Sequence, residues 1–349
     1  MTFLQIQINR FAMSSLKFFT VKGGVVAHFP EMSKNVFVTV DGDWESGFSD
    51  QFRACGVRRL FINYAHGWSG GSLDFLHEIA DCVDELQVIL VDPIDLHPIE
   101  QLSNLKSLDL DVRFKHSFNF ARLGSLKRCA VSWNGNYSSL LECGGLEHLY
   151  WYGYDGDTIP EVQFADSLIS LRFAASKFSD IAGVAQFKTL KELAMTRNSR
   201  PFDHAPIAML TNLEFLDLDS TRFHGVEAIE GLSLRYLHLA SYSGALNLNF
   251  VAGMRTLEEF ATADLRGGVE SITCLERLEN LKILMLFHSK VLDLDLSVIK
   301  RLPLIQYVSL DMKRGYNVSL KELEALGLCD EWRLDAVRSN IVRPSDAFE

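Results

Sequence analysis

From about residue 57 onward the chain repeats one arrangement of positions: an apolar residue, two variable ones, an apolar residue, one variable, an apolar residue. The clearest copies are 105–110 (LKSLDL), 168–173 (LISLRF), 190–195 (LKELAM), 213–218 (LEFLDL), 234–239 (LRYLHL) and 281–286 (LKILML). Weaker copies begin at Val57, Val83, Leu126, Leu146, Leu257 and Ile305, and from residue 83 the starts fall 20 to 24 residues apart. A period of that length marks a solenoid, built from coils that cannot bury their apolar residues alone and so must stack. The fourth and sixth places of each copy are two apart, which on a short strand puts them on one side, the core. Places three, five and seven face the other way. A dozen parallel strands about 4.8 Å apart would make that second face roughly 55 to 60 Å long.

The second half of some copies carries a further signal. In the copy from Val83 to Leu105, the residues Leu96, Pro98, Ile99 and Leu102 mark a returning segment with its own apolar positions. In this the sequence resembles the leucine-rich repeat family, specifically its short, internalin-like or phosphatase-regulator-like class, over about residues 57–326. The resemblance implies an α/β solenoid: a horseshoe with a parallel β-sheet on its concave face, irregular or short helical segments on its convex face, and a cap at each end. The expected organisation is an N-terminal segment and cap over 1–56, the solenoid over 57–318, and a C-terminal cap helix and tail over 319–349.

Both caps have sequence signals. Val36, Val38 and Val40 alternate one repeat before Val57, with Trp44, Phe48 and Phe52 as plugs. At the other end Ser319 and Glu322 have capping-box spacing before LKELEALG, and Trp332 with Leu334 offers apolar cover for the last coil. One departure from the family stands out. Its ninth place is usually Asn, whose side chain bonds the turning backbone, and here only Asn134 and Asn198 fit. Ser176, Thr221 and Ser289 substitute in part, while other copies carry Ala65, Val91, Arg113, Tyr154, Tyr242, Leu265 and Lys313. Irregular curvature and twisted coils are expected in consequence.

Charge narrows the partners. With 34 Lys and Arg against 45 Asp and Glu, the 349-residue chain carries a formal charge of -11, a field that repels phosphate backbones. Nucleic acid is not an expected partner. No apolar run approaches the roughly 18 residues needed to cross a bilayer, and the opening MTFLQIQINRFAMSSLKFF lacks the pattern of a secretory signal. No membrane partner is expected, and the expected location is cytoplasmic. The six cysteines are scattered without a CxxC pair, which argues against disulfides and structural zinc.

Few motifs point to chemistry. Gly67-Trp68-Ser69-Gly70-Gly71 matches the GxSxG nucleophile elbow, but that elbow belongs in a doubly wound sheet rather than in a uniform stack; a wide loop is the alternative. Asp-x-Asp pairs occur at Asp41/Asp43, Asp109/Asp111, Asp217/Asp219 and Asp293/Asp295, without the further oxygens a divalent cation needs. The histidines show no metal-binding spacing. No catalytic residue, metal or cofactor is assigned.

The inward column at place five reads Phe61, Gln87, Asp109, Ala130, Tyr150, Arg172, Ala194, Asp217, His238, Ala261, Met285 and Ser309; place seven includes Asp111, Tyr152 and Asp219. Trp133, Tyr150 and Tyr152, with His148 beside them, form an aromatic patch with a polar handle. Asp109, Asp111, Asp217 and Asp219 flank it and can pair with Lys or Arg on a partner, and Arg172 and His238 complete the candidate binding residues. The function expected is a non-catalytic scaffold that binds another protein on its concave face. A narrower form is a bacterial immunity protein neutralising a basic toxin; the alternatives are a secreted bacterial effector or a phosphatase-regulator-like adaptor. An enzyme would need Ser69 as a hydrolase nucleophile or a catalytic cysteine, and Cys82 and Cys329 sit among acidic neighbours that raise a thiol's pKa.

Overall fold

A computed structural model describes residues 37–345, apart from Asp41, Ser46, Phe114, Lys115, Ser220, Thr221, Phe223 and the side chains of Gln51, Cys55 and Trp332. Of the positions singled out above, Val36, Asp41, Thr221 and the Trp332 side chain lie outside the described residues. The described residues divide into two compact units, one up to residue 146 and one from residue 147 onward.

In the first unit the strands are β1 (Val38–Thr39), β2 (Arg59–Asn63), β3 (Glu85–Ile89), β4 (Ser107–Asp111) and β5 (Arg128–Ser132), parallel and in sequence order. The second unit continues the pattern with β6 (His148–Tyr152), β7 (Ser170–Ala174), β8 (Glu192–Thr196), β9 (Phe215–Asp219), β10 (Tyr236–Ala240), β11 (Glu259–Ala263), β12 (Ile283–Phe287) and β13 (Tyr307–Leu310), again parallel and in order. Strands β2 to β12 each cover places three to seven of their copy, and β13 covers places three to six. Places four and six are buried on one side, as in Leu108 and Leu110, Leu171 and Phe173, or Leu284 and Leu286, which is what a period-two alternation dictates.

Between strands the chain returns through short 3-10 helices, such as His97–Gln101, Ala182–Gln186 and Thr273–Arg277. A coil of 20 to 24 residues leaves room for little more than one helical turn, and the narrower 3-10 form suits pieces of that length. Leu96, Pro98, Ile99 and Leu102 are all buried there, with Pro98 in the first turn, where its missing N–H costs nothing.

The turns are held without an asparagine ladder. In the second unit the residue after six of the strands takes up left-handed backbone: Gly153 (φ 69°), Ala175 (54°), Arg197 (52°), Ser241 (64°), Asp264 (53°) and His288 (47°). That conformation lets the place-eight N–H donate to the next coil's place-seven carbonyl, as Ala175 does to Thr196 (2.9 Å) and Ser241 to Ala263 (2.9 Å). A second device recurs at the entry to the 3-10 helices. The side chains of Asp95, Asn119, Asp180, Asp203, Asn247 and Asp295 each accept from the backbone N–H two residues on, at 2.7 to 3.1 Å, the Asx turn. Asn198 bridges coils, donating to and accepting from the backbone of Phe178. Tyr154, at the same place, stacks on Trp151 with ring centroids 5.0 Å apart.

A ladder of alternating charge lines place two. Lys191, Glu214, Arg235, Glu258 and Lys282 pair in succession at 3.3, 3.8, 2.6 and 2.5 Å. In the first unit Asp84 sits between Arg58 (2.8 Å) and Lys106 (3.2 Å). Each exposed pair contributes only a few tenths of a kcal/mol, about 0.2–1, but as a network they favour correct stacking of one coil on the next.

At the start, Val38 and Val40 are buried, as are Phe48 and Phe52 of α1 (Phe48–Cys55), and Trp44 stacks on Phe75 at 4.2 Å. Near the end, α2 (Leu320–Ala325) opens with the expected capping box: the Ser319 hydroxyl accepts from the Glu322 N–H, and the Glu322 carboxylate accepts from the Ser319 N–H. The residues beyond, including α3 (Glu331–Arg338), depart from expectation. Leu334 does not close the end of the core. It packs with Val337 and Ile341 on the inward side of the strands, against Phe215, Tyr236, Ile283 and Tyr307.

Candidate protein-binding face

The strand registers put the inward side chains into unbroken columns. In the first unit place five runs Phe61, Gln87, Asp109, Ala130. In the second it runs Tyr150, Arg172, Ala194, Asp217, His238, Ala261, Met285, Ser309. Parallel pairing without a bulge brings residues one repeat apart side by side, so each column is a row of near neighbours.

In the first unit the face is acidic and hydrogen-bonded. Gln87 Nε2 donates to Asp109 Oδ2 at 2.9 Å, and Ser132 Oγ donates to Asp111 Oδ1 at 2.9 Å. Burial, opposed by the Gln87 bond and reinforced by the Asp111 charge, pushes the Asp109 carboxyl up to about 6. Trp133, just past β5, is half-buried.

In the second unit the sequence-predicted residues separate by depth. His148 is buried, 6% exposed, and belongs to the packing of the face. Tyr150 and Tyr152 are half-buried with open surface on alternate positions of β6. Asp217 and His238 come together across β9 and β10, with His238 Nδ1 2.9 Å from Asp217 Oδ1. Asp219 sits beside Ala240 and is half-buried. Arg172 has partners within the chain: its Nε donates to Glu192 at 2.9 Å and its Nη2 to the Ser345 hydroxyl at 3.0 Å.

Place three holds the residues that sequence reasoning missed. From β7 to β13 it reads Ser170, Glu192, Phe215, Tyr236, Glu259, Ile283 and Tyr307, and all are buried. The cover is the chain's own C-terminal segment. Val337 and Ile341 lie on the apolar members, and Arg338 pairs with Glu259. The Arg343 guanidinium carbon sits 4.1 Å from the centre of the Tyr236 ring, a cation–π contact. Ser345 donates to Glu192 from its N–H (3.0 Å) and its hydroxyl (3.1 Å). Burial alone would raise the Glu192 carboxyl; Arg172, with Ser345 and Arg343, outweighs it and holds the group below the ordinary range. The Tyr236 phenol is pushed up to about 12, chiefly by burial, against the opposing charge of Arg343.

The motifs set aside earlier have local roles. Ser69 is exposed in an irregular segment before the 3-10 helix Asp74–Glu78, and a Cβ at Gly70 would meet the Trp68 ring at 2.6 Å. The glycine is there to let that ring close over the backbone. Asp293 and Asp295 cap their own turn, accepting from Asp295 N and Ser297 N at 3.0 and 2.8 Å. Burial raises the thiols of Cys82 and Cys329; at Cys82 the Arg53 charge opposes it and Asp81 adds to it, and at Cys329 Glu324 and Asp330 add to it. Among the described residues no helix is long and apolar enough to cross a membrane.

No protein-family model matches the sequence, and no curated protein matches it. Solved structures do. An internalin, InlF, of Listeria monocytogenes aligns with a TM-score of 0.60 at 18% identity, over 84% of this chain and 85% of that one. A leucine-rich repeat protein of Leptospira interrogans aligns at 16% identity over 74% of this chain and 80% of that one, with a TM-score of 0.49.

Proposed function

We propose that this chain, a leucine-rich repeat solenoid of internalin-like fold, is a non-catalytic scaffold that grips a protein partner on the inward face of its coils. The observation that carries this reading is the pair Tyr150 and Tyr152, two large aromatic side chains left partly open on one short strand. Tyrosine buries a broad rigid surface at low entropic cost and keeps a hydroxyl for a polar contact, which is why it dominates binding hot spots. Asp217, His238 and Asp219 in the same unit, and Asp109, Asp111 and Trp133 in the first, supply polar, acidic and aromatic positions of the same kind. Repeat folds bind through such extended surfaces rather than through enclosed pockets.

The formal charge of -11 favours a basic partner by electrostatic steering. The narrower reading that follows is an immunity protein that neutralises a basic toxin in the cytoplasm of a bacterium. A secreted effector or a phosphatase-regulator-like adaptor uses the same face on a different partner.

The test is affinity capture from native lysate and from the products of neighbouring genes, with partners identified by mass spectrometry. Wild type is compared with the double variant Tyr150→Ala/Tyr152→Ala, whose loss is expected to weaken partner affinity by about 2 kcal/mol or more without unfolding the chain. Equal capture by both would place the site off this strand.

A further inference from the structure

The place-three column of the second unit is a groove already filled. Its two carboxylates, Glu192 and Glu259, are 3% and 1% exposed, and the C-terminal segment bonds both: Glu259 through Arg338, and Glu192 through Ser345, with Arg172 of β7 as the second partner of Glu192. Between them Val337 and Ile341 cover an apolar floor. The occupant joins the groove through a short α-helix and an irregular stretch, not through strand pairing. Its hold therefore rests on side-chain contacts, which a competing segment of like chemistry can replace.

We propose that the groove over β8–β12 is a recognition site for an apolar, arginine-bearing chain segment, and that residues 334–345 occupy it as an intramolecular stand-in which a partner's segment displaces. The inference rests on the reading that the inward face binds protein, and it names the chemistry recognised there. Each buried carboxylate sets a place for a guanidinium or a hydrogen-bond donor. Phe215, Tyr236 and Ile283 set places for aliphatic side chains, and the Tyr236 ring takes a cation on its face. A partner lacking the arginine that takes the place of Arg338 would leave the buried Glu259 without its counter-charge, a strong penalty against the wrong segment, whereas Glu192 keeps Arg172 of β7 and asks the segment only for a hydrogen-bond donor.

The probe is a synthetic peptide of residues 331–345 added to the full chain. In wild type the resident segment competes, so apparent affinity is reduced by the fraction of time the groove is open. The full-chain variant Arg338→Ala/Arg343→Ala is expected to bind the peptide at least about tenfold more tightly than wild type does. A peptide carrying the same two alanines is expected not to bind. A second variant, Val337→Asp/Ile341→Asp, frees the groove through the apolar contacts and is expected to give the same gain, and melting curves check that both variants stay folded. Equal binding to wild type and both variants, or binding to none, would overturn the proposal. So would a wild-type dimer that the Arg338→Ala/Arg343→Ala variant converts to monomer, because the segment would then be exchanged between two copies. These results are separable from the scaffold reading: peptide binding reads the groove without any partner, whereas the Tyr150/Tyr152 comparison reads partner capture without the peptide.

Discussion

Arg338 of α3 and Glu259 of β11 stand 79 positions apart, yet the arginine Nε lies 3.2 and 3.3 Å from the two carboxylate oxygens, and Nη2 closes on one of them as well. The carboxylate side chain is 2% exposed and the guanidinium side chain 40%. Such a pair is asymmetric. Removing the arginine strands a buried charge, which the molecule can relieve by lifting the segment and letting water in. Arg338→Ala is therefore expected to speed amide hydrogen exchange across α3 while leaving β9–β12 protected. Unchanged exchange in α3 would mean that the pair does not hold the segment down.

The pH dependence turns on Asp109. Its carboxyl, raised to about 6 by burial, lies above the ordinary value near 4. Between those values the folded protein takes up a proton that the unfolded chain does not, so this group's contribution falls as pH rises through that window and stays lower above it. Asp109→Asn keeps an acceptor for Gln87 and removes the charge. It is expected to stabilise the fold by about 1–2 kcal/mol at pH 7 and by nothing measurable at pH 4, allowing for partial exposure. Urea unfolding at the two pH values decides it.

Left-handed residues at place eight carry strain that glycine would relieve. A side chain in that conformation costs about 1–2 kcal/mol, and glycine gives back roughly 0.5–1 in unfolded-state entropy. Ala175→Gly (φ 54° at the native residue) is expected to raise stability by about 0.5–1 kcal/mol. Ala174→Gly, one residue earlier in an ordinary strand, is expected to lower it by a similar amount. A thermal melt in which the two variants move together would contradict this account of the turn.

Core and face should separate cleanly. Leu216 at place four of β9 is fully buried, and a charge there has no partner, so Leu216→Asp is expected to cost more than about 4 kcal/mol and to unfold neighbouring coils. Circular dichroism would show it, against a native spectrum for Tyr150→Ala.

The repeat was legible because its two periods are imposed by backbone geometry. Leucines two apart and copies about 22 apart leave one parallel register, and the place-five column read from the sequence is the column found in each unit. The turns were harder to see. Beside Gly153, their left-handed residues include Ala175, Arg197 and Ser241, types that do not announce positive φ, while the Asx residues that replace the asparagine ladder sit at the returning helix, away from place nine. The ladder of Lys191, Glu214, Arg235, Glu258 and Lys282 was visible as alternating charge at one repeat place. The self-occupied groove also left a trace. Phe215, Tyr236, Ile283 and Tyr307 are too apolar for an open face, and Leu334, Val337 and Ile341 have the 3-and-4 spacing of a helix that needs a surface. What joins those two facts is a contact far apart in the chain, which local periodicity does not report.

The most direct measurement of the occupied inward face is a double-mutant cycle on Glu259→Gln and Arg338→Met, read by urea unfolding of the full chain. The seated segment requires a coupling energy of about 1–2 kcal/mol between the two positions. Additive losses, with coupling near zero, would contradict it and leave the second unit's inward face open.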